Sequence, residues 1–279
     1  MTGSPEPRST HAYNFTSPVD HPPRRVVSLV PSVTESLFDL QIGDRLVAVT
    51  DYCIHPQQGV ARLPKVGGTK TPDLEKIIAL RPDLVILNRE ENRREDAERL
   101  QAAGIPIWVT HPRTVQDALN LLWEIMHVFD APAMAEQVRW IERQVDWTAG
   151  VARESKPVRV FVPIWYDPWM TFDEHTYIHD LLRVCGGENV FADYPAGDTP
   201  YPHITLDEIV AAQPEVILLP DEPFAFSSEH ADLLSRLDVP AARRGRIYPV
   251  EGSLLTWHGT RLARALREIP PLLAQPEEG

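Results

Sequence analysis

DLEKIIALRPDLVIL at residues 73–87 and TLDEIVAAQPEVILL at residues 205–219 are two copies of one pattern, aligned on Pro82 and Pro214 without a gap. Leu74/Leu206, Ile77/Ile209, Ala79/Ala211 and Leu87/Leu219 are identical, and most other positions keep their chemical type. In each copy the apolar residues first recur at helical spacing (Leu74, Ile77, Ile78; Leu206, Ile209, Val210) and then run unbroken beyond the proline. Each copy reads as a short helix stopped by proline, followed by a strand buried on both faces. Only a parallel sheet covered by helices on both sides buries such strands completely, so two distant copies imply two α/β lobes. Unrelated helix–strand junctions seldom agree over so long a stretch, which favours a repeated unit over coincidence.

The 279 residues suit two domains, and no apolar run approaches the roughly 20 residues that a membrane span needs. A net charge of -13 without clustered Lys and Arg argues against nucleic acid as a partner. Cys53 and Cys185 fall in different lobes, so a disulfide between them is not expected. The N-terminus, MTGSPEPRSTHAYNFTSPVDHPPRR, lacks the charged start, apolar core and small-residue cleavage site of a secretory signal. As written, the chain reads as cytoplasmic; a true start upstream would make it periplasmic or extracellular.

Residues 1–23, rich in Pro, Ser, Thr and His, read as a flexible arm outside the core. The N-terminal α/β lobe is expected over 24–130. It opens with a strand at 26–30 and a helix capped by Ser32 or Thr34 and ended near Gly43. A strand at 46–49, the first copy of the repeat, a helix at 93–103, a strand at 107–109 and a helix at 115–129 follow. One long connecting helix is expected within 131–155, with Met134, Val138, Ile141 and Val145 on one stripe. Such a connector keeps relative lobe motion small. The C-terminal α/β lobe, 156–279, repeats the order: strand at 158–162, helix at 177–184 stopped by Gly186 and Gly187, second copy, helix at 229–237, strand at 247–250 and a final helix at 260–273. The fold class is therefore α/β, two Rossmann-like lobes with parallel sheets joined by one backbone helix.

In open parallel sheets ligands bind beyond the carboxyl ends of the strands. The residues in those places are Asp51 and Tyr52, Arg89 and Glu90 in the first lobe, and Trp165, Tyr166, Trp169, Phe224, Trp257 and His258 in the second, with Tyr201 as a further aromatic candidate. Large aromatics there serve either as stacking platforms for a sizeable ligand or as the rim of the lobe core. For Arg89 and Glu90, site membership competes with a solvated helix start. The acidic set Asp51, Glu90, Glu91, Asp221 and Glu222 disfavours a purely anionic ligand unless Arg89 or Lys70 pairs with it. GGTKTPD at 67–73 is not a phosphate loop, there is no GxSxG elbow or CxxC, and His175 and His179 lack an accompanying HExxH pattern. Neither a metal centre nor a catalytic residue is expected.

RVVSLVPSVTESLFDLQIGDRLVAVTDYC, PDLEKIIALRPDLVI, LLRVCGGENVF and the second copy together resemble the substrate-binding proteins of ABC importers for cobalamin, ferric siderophores and haem, over residues 25–273. The resemblance implies a class III periplasmic-binding-protein fold, a monomer without catalytic activity, and a corrinoid, haem or ferric siderophore held between the lobes, with no covalent cofactor. It implies docking on a membrane permease through acids at the starts of the repeated helices, Glu75 and Asp207 here, the second being Asp where the family usually has Glu. It also points to the aromatic-bearing loops at Asp51–Tyr52 and Trp165–Tyr166 as ligand contacts. The competing reading is a cytoplasmic sensor or enzyme that kept the fold without transport, since fold alone does not fix function.

Overall fold

The computed structural model describes residues 17–195, 197 and 199–274. Both copies of the repeat fold as a helix and a buried strand. The Asp73 carboxylate caps the first helix by accepting from the Lys76 amide (3.0 Å), and Thr205 with Glu208 forms a reciprocal capping box on the second. Past each proline every strand position is buried.

The first lobe runs β1 (Val26–Ser28), α1 (Pro31–Asp39), β2 (Leu46–Val49), α2 (Gln57–Val60), α3 (Leu74–Ala79), β3 (Leu84–Asn88), α4 (Arg94–Ala102), β4 (Ile107–Thr110) and α5 (Val115–Val128). A 3₁₀ turn at Pro132–Met134 leads into the connector, α6 (Ala135–Ala152). The second lobe runs β5 (Val158–Phe161), α7 (Tyr177–Val184), β6 (Gly187–Asn189), α8 (Leu206–Ala212), β7 (Val216–Pro220), α9 (Ser228–Ser235), α10 (Pro240–Arg243) and β8 (Ile247–Val250). It ends with α11 (Ser253–Thr256), a 3₁₀ turn at Gly259–Arg261, α12 (Leu262–Glu268) and α13 (Pro270–Leu273).

Each lobe holds a parallel four-stranded sheet in the same order, β2-β1-β3-β4 and β6-β5-β7-β8. The chain therefore crosses from one side of its first strand to the other, leaving a crevice at the carboxyl ends between β1 and β3 and between β5 and β7. The outer face of the first sheet packs under α3 and α4 around Ile77, Val85 and Leu100, and that of the second under α8 and α9 around Ile209, Ile217 and Leu234. The inner faces belong to one continuous core that also takes in Leu122 and Ile125 of α5, Val138 and Ile141 of α6, Leu181 of α7 and Leu262 of α12. The two lobes thus share a hydrophobic core.

A polar clasp closes the same seam. Arg261, buried, grips Glu35 of α1 with two parallel bonds (2.7 and 2.6 Å) while donating to Glu251 (2.7 Å) and Ser253 (2.9 Å). Its guanidinium lies over the Trp257 ring, 4.8 Å from the centroid. Beside it the Thr260 hydroxyl donates to Asp39 (2.7 Å) and its amide to Ser36 (3.1 Å). Gly259, at φ +88, is what permits this approach: a Cβ there would stand 2.2 Å from the Ser36 hydroxyl.

Several local expectations are corrected. β1 ends at Ser28, and α1 has Val30 at its cap without a side-chain bond, because Pro31 supplies a first turn that needs none of the missing amide. Ser32 and Thr34 instead turn inward, Thr34 donating to Val30 O (3.0 Å). The final helix breaks at Pro270, whose ring removes an amide donor. Gly187–Asn189, read only as the end of a helix, forms the edge strand β6 against β5. Of the expected N-terminal arm, residues 1–16 lie outside the described residues, while Val19 packs on the shared core and the Arg24 and Arg25 amides donate to the Asp83 carboxylate.

Removing one partner of a satisfied, buried ion pair leaves the other charge uncompensated. Arg261→Ala is therefore expected to lose about 3–5 kcal/mol of folding stability in denaturant titration. A loss below about 1 kcal/mol, the range of surface pairs, would show that the clasp does not hold the seam.

Candidate functional site

The carboxyl ends of both sheets carry loops whose side chains are fixed by short polar networks. After β2, the buried Cys53 thiol contacts the Thr34 and Thr50 hydroxyls (3.2 and 3.1 Å), and Lys65 donates to the Thr50 and Cys53 carbonyls (3.2 and 2.9 Å). With the loop base pinned, Asp51, Tyr52 and Ile54 project outward, Tyr52 at 62% exposure. After β3, the Asn88 side chain accepts from the Glu90 and Glu91 amides (2.8 and 3.3 Å), while Asn92 accepts from the Asn88 amide (2.7 Å) and donates to Thr69 O (2.9 Å). These two asparagines shape the turn that presents Arg89, Glu90 and Glu91.

On the second lobe the chain after β5 doubles back, Ile164 N to Met170 O (2.9 Å) and Met170 N to Trp165 O (3.1 Å), with Trp165 and Tyr166 at the bend. Trp165 is 44% exposed and meets Phe224 edge to face at 5.5 Å between centroids. Tyr166, Phe224 and His230 extend the same aromatic wall. After β7, the Asp221 carboxylate accepts from the Gly252 amide (2.6 Å), and Glu222 accepts from Thr256 (3.0 Å) and from the Trp257 indole.

The lobes meet across this cleft. Tyr201 donates to Glu90, which also has His111 at 3.7 Å, and burial raises the Tyr201 hydroxyl pKa. Glu91 is half-buried. Burial first, then Glu222 of the other lobe and Glu90, push its carboxyl up to about 8. Burial likewise raises Glu222. The gap is therefore acidic, with Lys70 as the opposing charge near Glu91.

Three expected cleft residues are elsewhere. Trp169, 8% exposed, stacks on Phe226 within the outer core of the second lobe, because the return strand of the bend faces inward. Trp257 is 7% exposed, covered by Arg261 on one face and by His55 at 5.7 Å on an edge; it positions Glu222 and presents no open ring. His258, 4% exposed, sits in the lobe seam with both ring nitrogens within 3.4 Å of the Ser32 hydroxyl. That pair is sealed from the cleft, and burial holds the imidazole at about 4. Asp51, Tyr52, Arg89, Glu90, Trp165, Tyr166, Tyr201 and Phe224 all lie on the loops at the strand ends or against them. The sequence reading missed Thr256 as a partner of Glu222; its place after β8 was the available signal.

Glu75 and Asp207 occupy the same position in α3 and α8 and are both exposed, Glu75 pairing with Arg99 at 3.1 Å. A separate groove of ≈ 850 Å³ lies between α6 and the C-terminal helices, beside Trp147 and Leu273, at the amino end of β5 and away from the cleft. Among the described residues no helix is long and apolar enough to cross a membrane, and no group of three His, Cys, Asp or Glu is placed to hold a metal ion.

Residues 26–250 match the periplasmic binding protein family. A vitamin B12-binding protein of Yersinia pestis (strain Pestoides F) is 31% identical over 217 residues, 77% of this chain and 76% of its own. One of Vibrio parahaemolyticus is 28% identical over 251 residues, covering 90% and 89%. Among solved structures, the periplasmic vitamin B12 binding protein of Vibrio cholerae superposes with a TM-score of 0.77 at 22% identity over 91% of this chain and 97% of its own. A periplasmic haem-binding protein from Roseiflexus sp. RS-1 also gives 0.77, at 24% identity over 90% and 97%. These structural likenesses bear on the fold alone.

Glu91 and His258 give opposite pH windows. Protonated Glu91 stabilises the fold fully below its ordinary 4.5, and that contribution is lost as pH rises through about 8. Neutral His258 contributes fully above its ordinary 6.5, and its contribution is lost as pH falls through about 4. Relative to wild type, Glu91→Gln should therefore gain melting temperature from pH 4.5 to 8, and His258→Asn should gain it from pH 6.5 down to 4. Scanning fluorimetry across that range checks both; a flat difference curve for either variant would contradict its assignment.

Proposed function

Because the chain belongs to the periplasmic binding protein family, by its match over residues 26–250, we propose that it is the ligand-binding component of an importer and holds a planar metal chelate of the corrinoid or haem kind between its lobes. The observation that carries this reading is the pair of exposed aromatics, Tyr52 and Trp165, on strand-end loops of opposite lobes. Aromatic faces at such a crevice suit a large, flat, partly apolar ligand. Relatives named for vitamin B12 and structural neighbours named for vitamin B12 and haem support that ligand class. They also support a place outside the cytoplasmic membrane, which cell fractionation of the full-length gene product tests.

Among the described residues the Ser32–His258 pair is buried in the seam, away from the strand-end loops. The protein's work is to desolvate and hold the ligand. Trp165→Ala is expected to weaken binding of dicyanocobinamide or haemin, whichever binds, by about tenfold or somewhat more, since ring stacking and lost contact area together exceed about 1.4 kcal/mol. Intrinsic fluorescence titration reads this, and unchanged affinity would remove the aromatic wall from the site.

Under the same reading Glu75 and Asp207 dock on basic pockets of a permease. The double variant Glu75→Ala/Asp207→Ala should keep ligand affinity within about twofold, as exposed substitutions do, while uptake in cells carrying the transporter falls. Normal uptake with both acids removed would place the docking surface elsewhere.

A further inference from the structure

The connector α6 presents two apolar stripes. Val138 and Ile141 face the shared core, while Trp140, Gln144, Trp147 and Val151 fall on a separate stripe that points outward, Trp140 at 46% and Trp147 at 72% exposure. This outer stripe is one wall of the ≈ 850 Å³ groove, whose other wall is Leu266 of α12 with Pro270 and Leu273 of α13. Single exposed apolar residues are ordinary, but two tryptophans and a valine in line beside an apolar groove mark an interaction surface. The charges flanking the stripe bear on what it fits. Arg139 is engaged by Glu136 and lies over the Trp123 ring, whereas the exposed Arg143 and Asp146 side chains make no ion pair or hydrogen bond among the described residues.

We propose that this face pairs with the same face of a second copy of the chain, the two α6 helices lying antiparallel about a two-fold axis. The stripe maps onto itself in one register, with Trp140 level with Val151 of the second copy and Gln144 level with Trp147 of the second copy. Each Trp147 then meets the other copy's groove, so one patch supplies both the protruding ring and the hollow, as a closed two-fold contact requires. The same register sets Arg143 about 3 Å along the axis from Asp146 of the second copy, and does so twice, which gives each unpaired charge an opposite partner. A parallel pairing would set Arg143 against Arg143 and Asp146 against Asp146. Two partly exposed tryptophans, Val151 and the groove walls bury on the order of 500 Å² per copy, near the lower limit for a specific contact. The dimer is therefore reversible, with a dissociation constant on the order of 10 μM. Because the groove lies at the amino end of β5, both clefts stay open in the dimer. This inference does not rest on the ligand reading, and it replaces the monomer that the family resemblance implies.

Sedimentation velocity of the full chain from about 1 to about 200 μM measures the association, in about 0.15 M salt so that the repulsion between two chains of charge -13 is screened. Wild type should pass from monomer to dimer across this range. Trp147→Glu should weaken the association at least about thirtyfold, as loss of a central aromatic anchor does. Arg143→Asp should weaken it about tenfold, and Arg143→Asp/Asp146→Arg, which exchanges the two charges, should restore it to within about threefold. All three positions are exposed, so melting temperatures near that of wild type confirm that the variants fold. A short bismaleimide crosslinker reads the register, the native Cys53 and Cys185 being buried. Trp140→Cys and Val151→Cys should each stay uncrosslinked alone, because like positions lie about 16 Å apart along the axis, while their equimolar mixture crosslinks. Wild type that stays monomeric to the highest concentration overturns the proposal, and maleimide labelling of Val151→Cys then assigns the groove: fast labelling leaves it open, slow labelling puts residues 1–16 or 275–279 of the same chain over it. A dimer unchanged by Trp147→Glu places the contact on another face and overturns the proposal, and crosslinking of either cysteine variant alone overturns the antiparallel register.

Discussion

The position of everything in the cleft depends on one guanidinium. Arg261 belongs to the segment after β8, yet its two parallel bonds go to Glu35 on the first helix of the other lobe. Ionic groups taken out of water contribute little unless every donor is matched, and here the remaining donors reach Glu251 and Ser253 while the flat face rests on Trp257. Trp257 in turn donates to Glu222. The residue that registers the lobes therefore also sets the carboxylate that faces Glu91. The glycines on either side of this chain of contacts have the same logic: a Cβ on Gly252 would stand 2.6 Å from the Glu222 carbonyl, and one on Gly259 would strike α1. Backbone at these two points lies too close to its neighbours for any side chain.

A cleft fixed in this way differs from one assembled by wide closure. Where lobes are joined by loops alone, part of the binding energy goes into bringing them together; where they share a core, that cost was met on folding and the site waits nearly formed. The consequence is electrostatic as well as geometric. Burial first, and then the neighbouring charges of Glu222 and Glu90, keep a proton on Glu91 well above the usual carboxylate range.

The architecture was legible because the repeat is a statement about burial. A short amphipathic helix, a proline and four unbroken apolar residues have few stable homes, and two copies led directly to two parallel sheets. The connector was legible from Val138 and Ile141 at helical spacing, though its first turn is 3₁₀ because Pro132 begins it. The site was legible only as a set of loops. Sequence position puts Trp165, Trp169 and Trp257 equally at strand ends, but which ring faces water depends on the bend between Trp165 and Met170 and on what covers Trp257, neither of which has local periodicity. His258 was misplaced for the same reason: its partner, Ser32, comes from the opposite end of the chain. The edge strand β6 escaped because three residues beginning with glycine carry no strand signal of their own; pairing with β5 creates it.

A shared core also constrains how a bound ligand would leave. A partner can shift a conformational equilibrium only by binding one state better than the other. Glu75 and Asp207 lie at equivalent places on different lobes, on helices α3 and α8 that pack on the outer faces of the two sheets and outside the shared core. A partner gripping both would act on the lobes as separate bodies, and its differential affinity would be set against the seam formed by Arg261, Thr260 and the inner core. The polar contact across the cleft mouth, Tyr201 with Glu90, is the one such a pull would load outside the clasp and the inner core. Under the proposed reading, release by this route would loosen the mouth while the clasp stays intact.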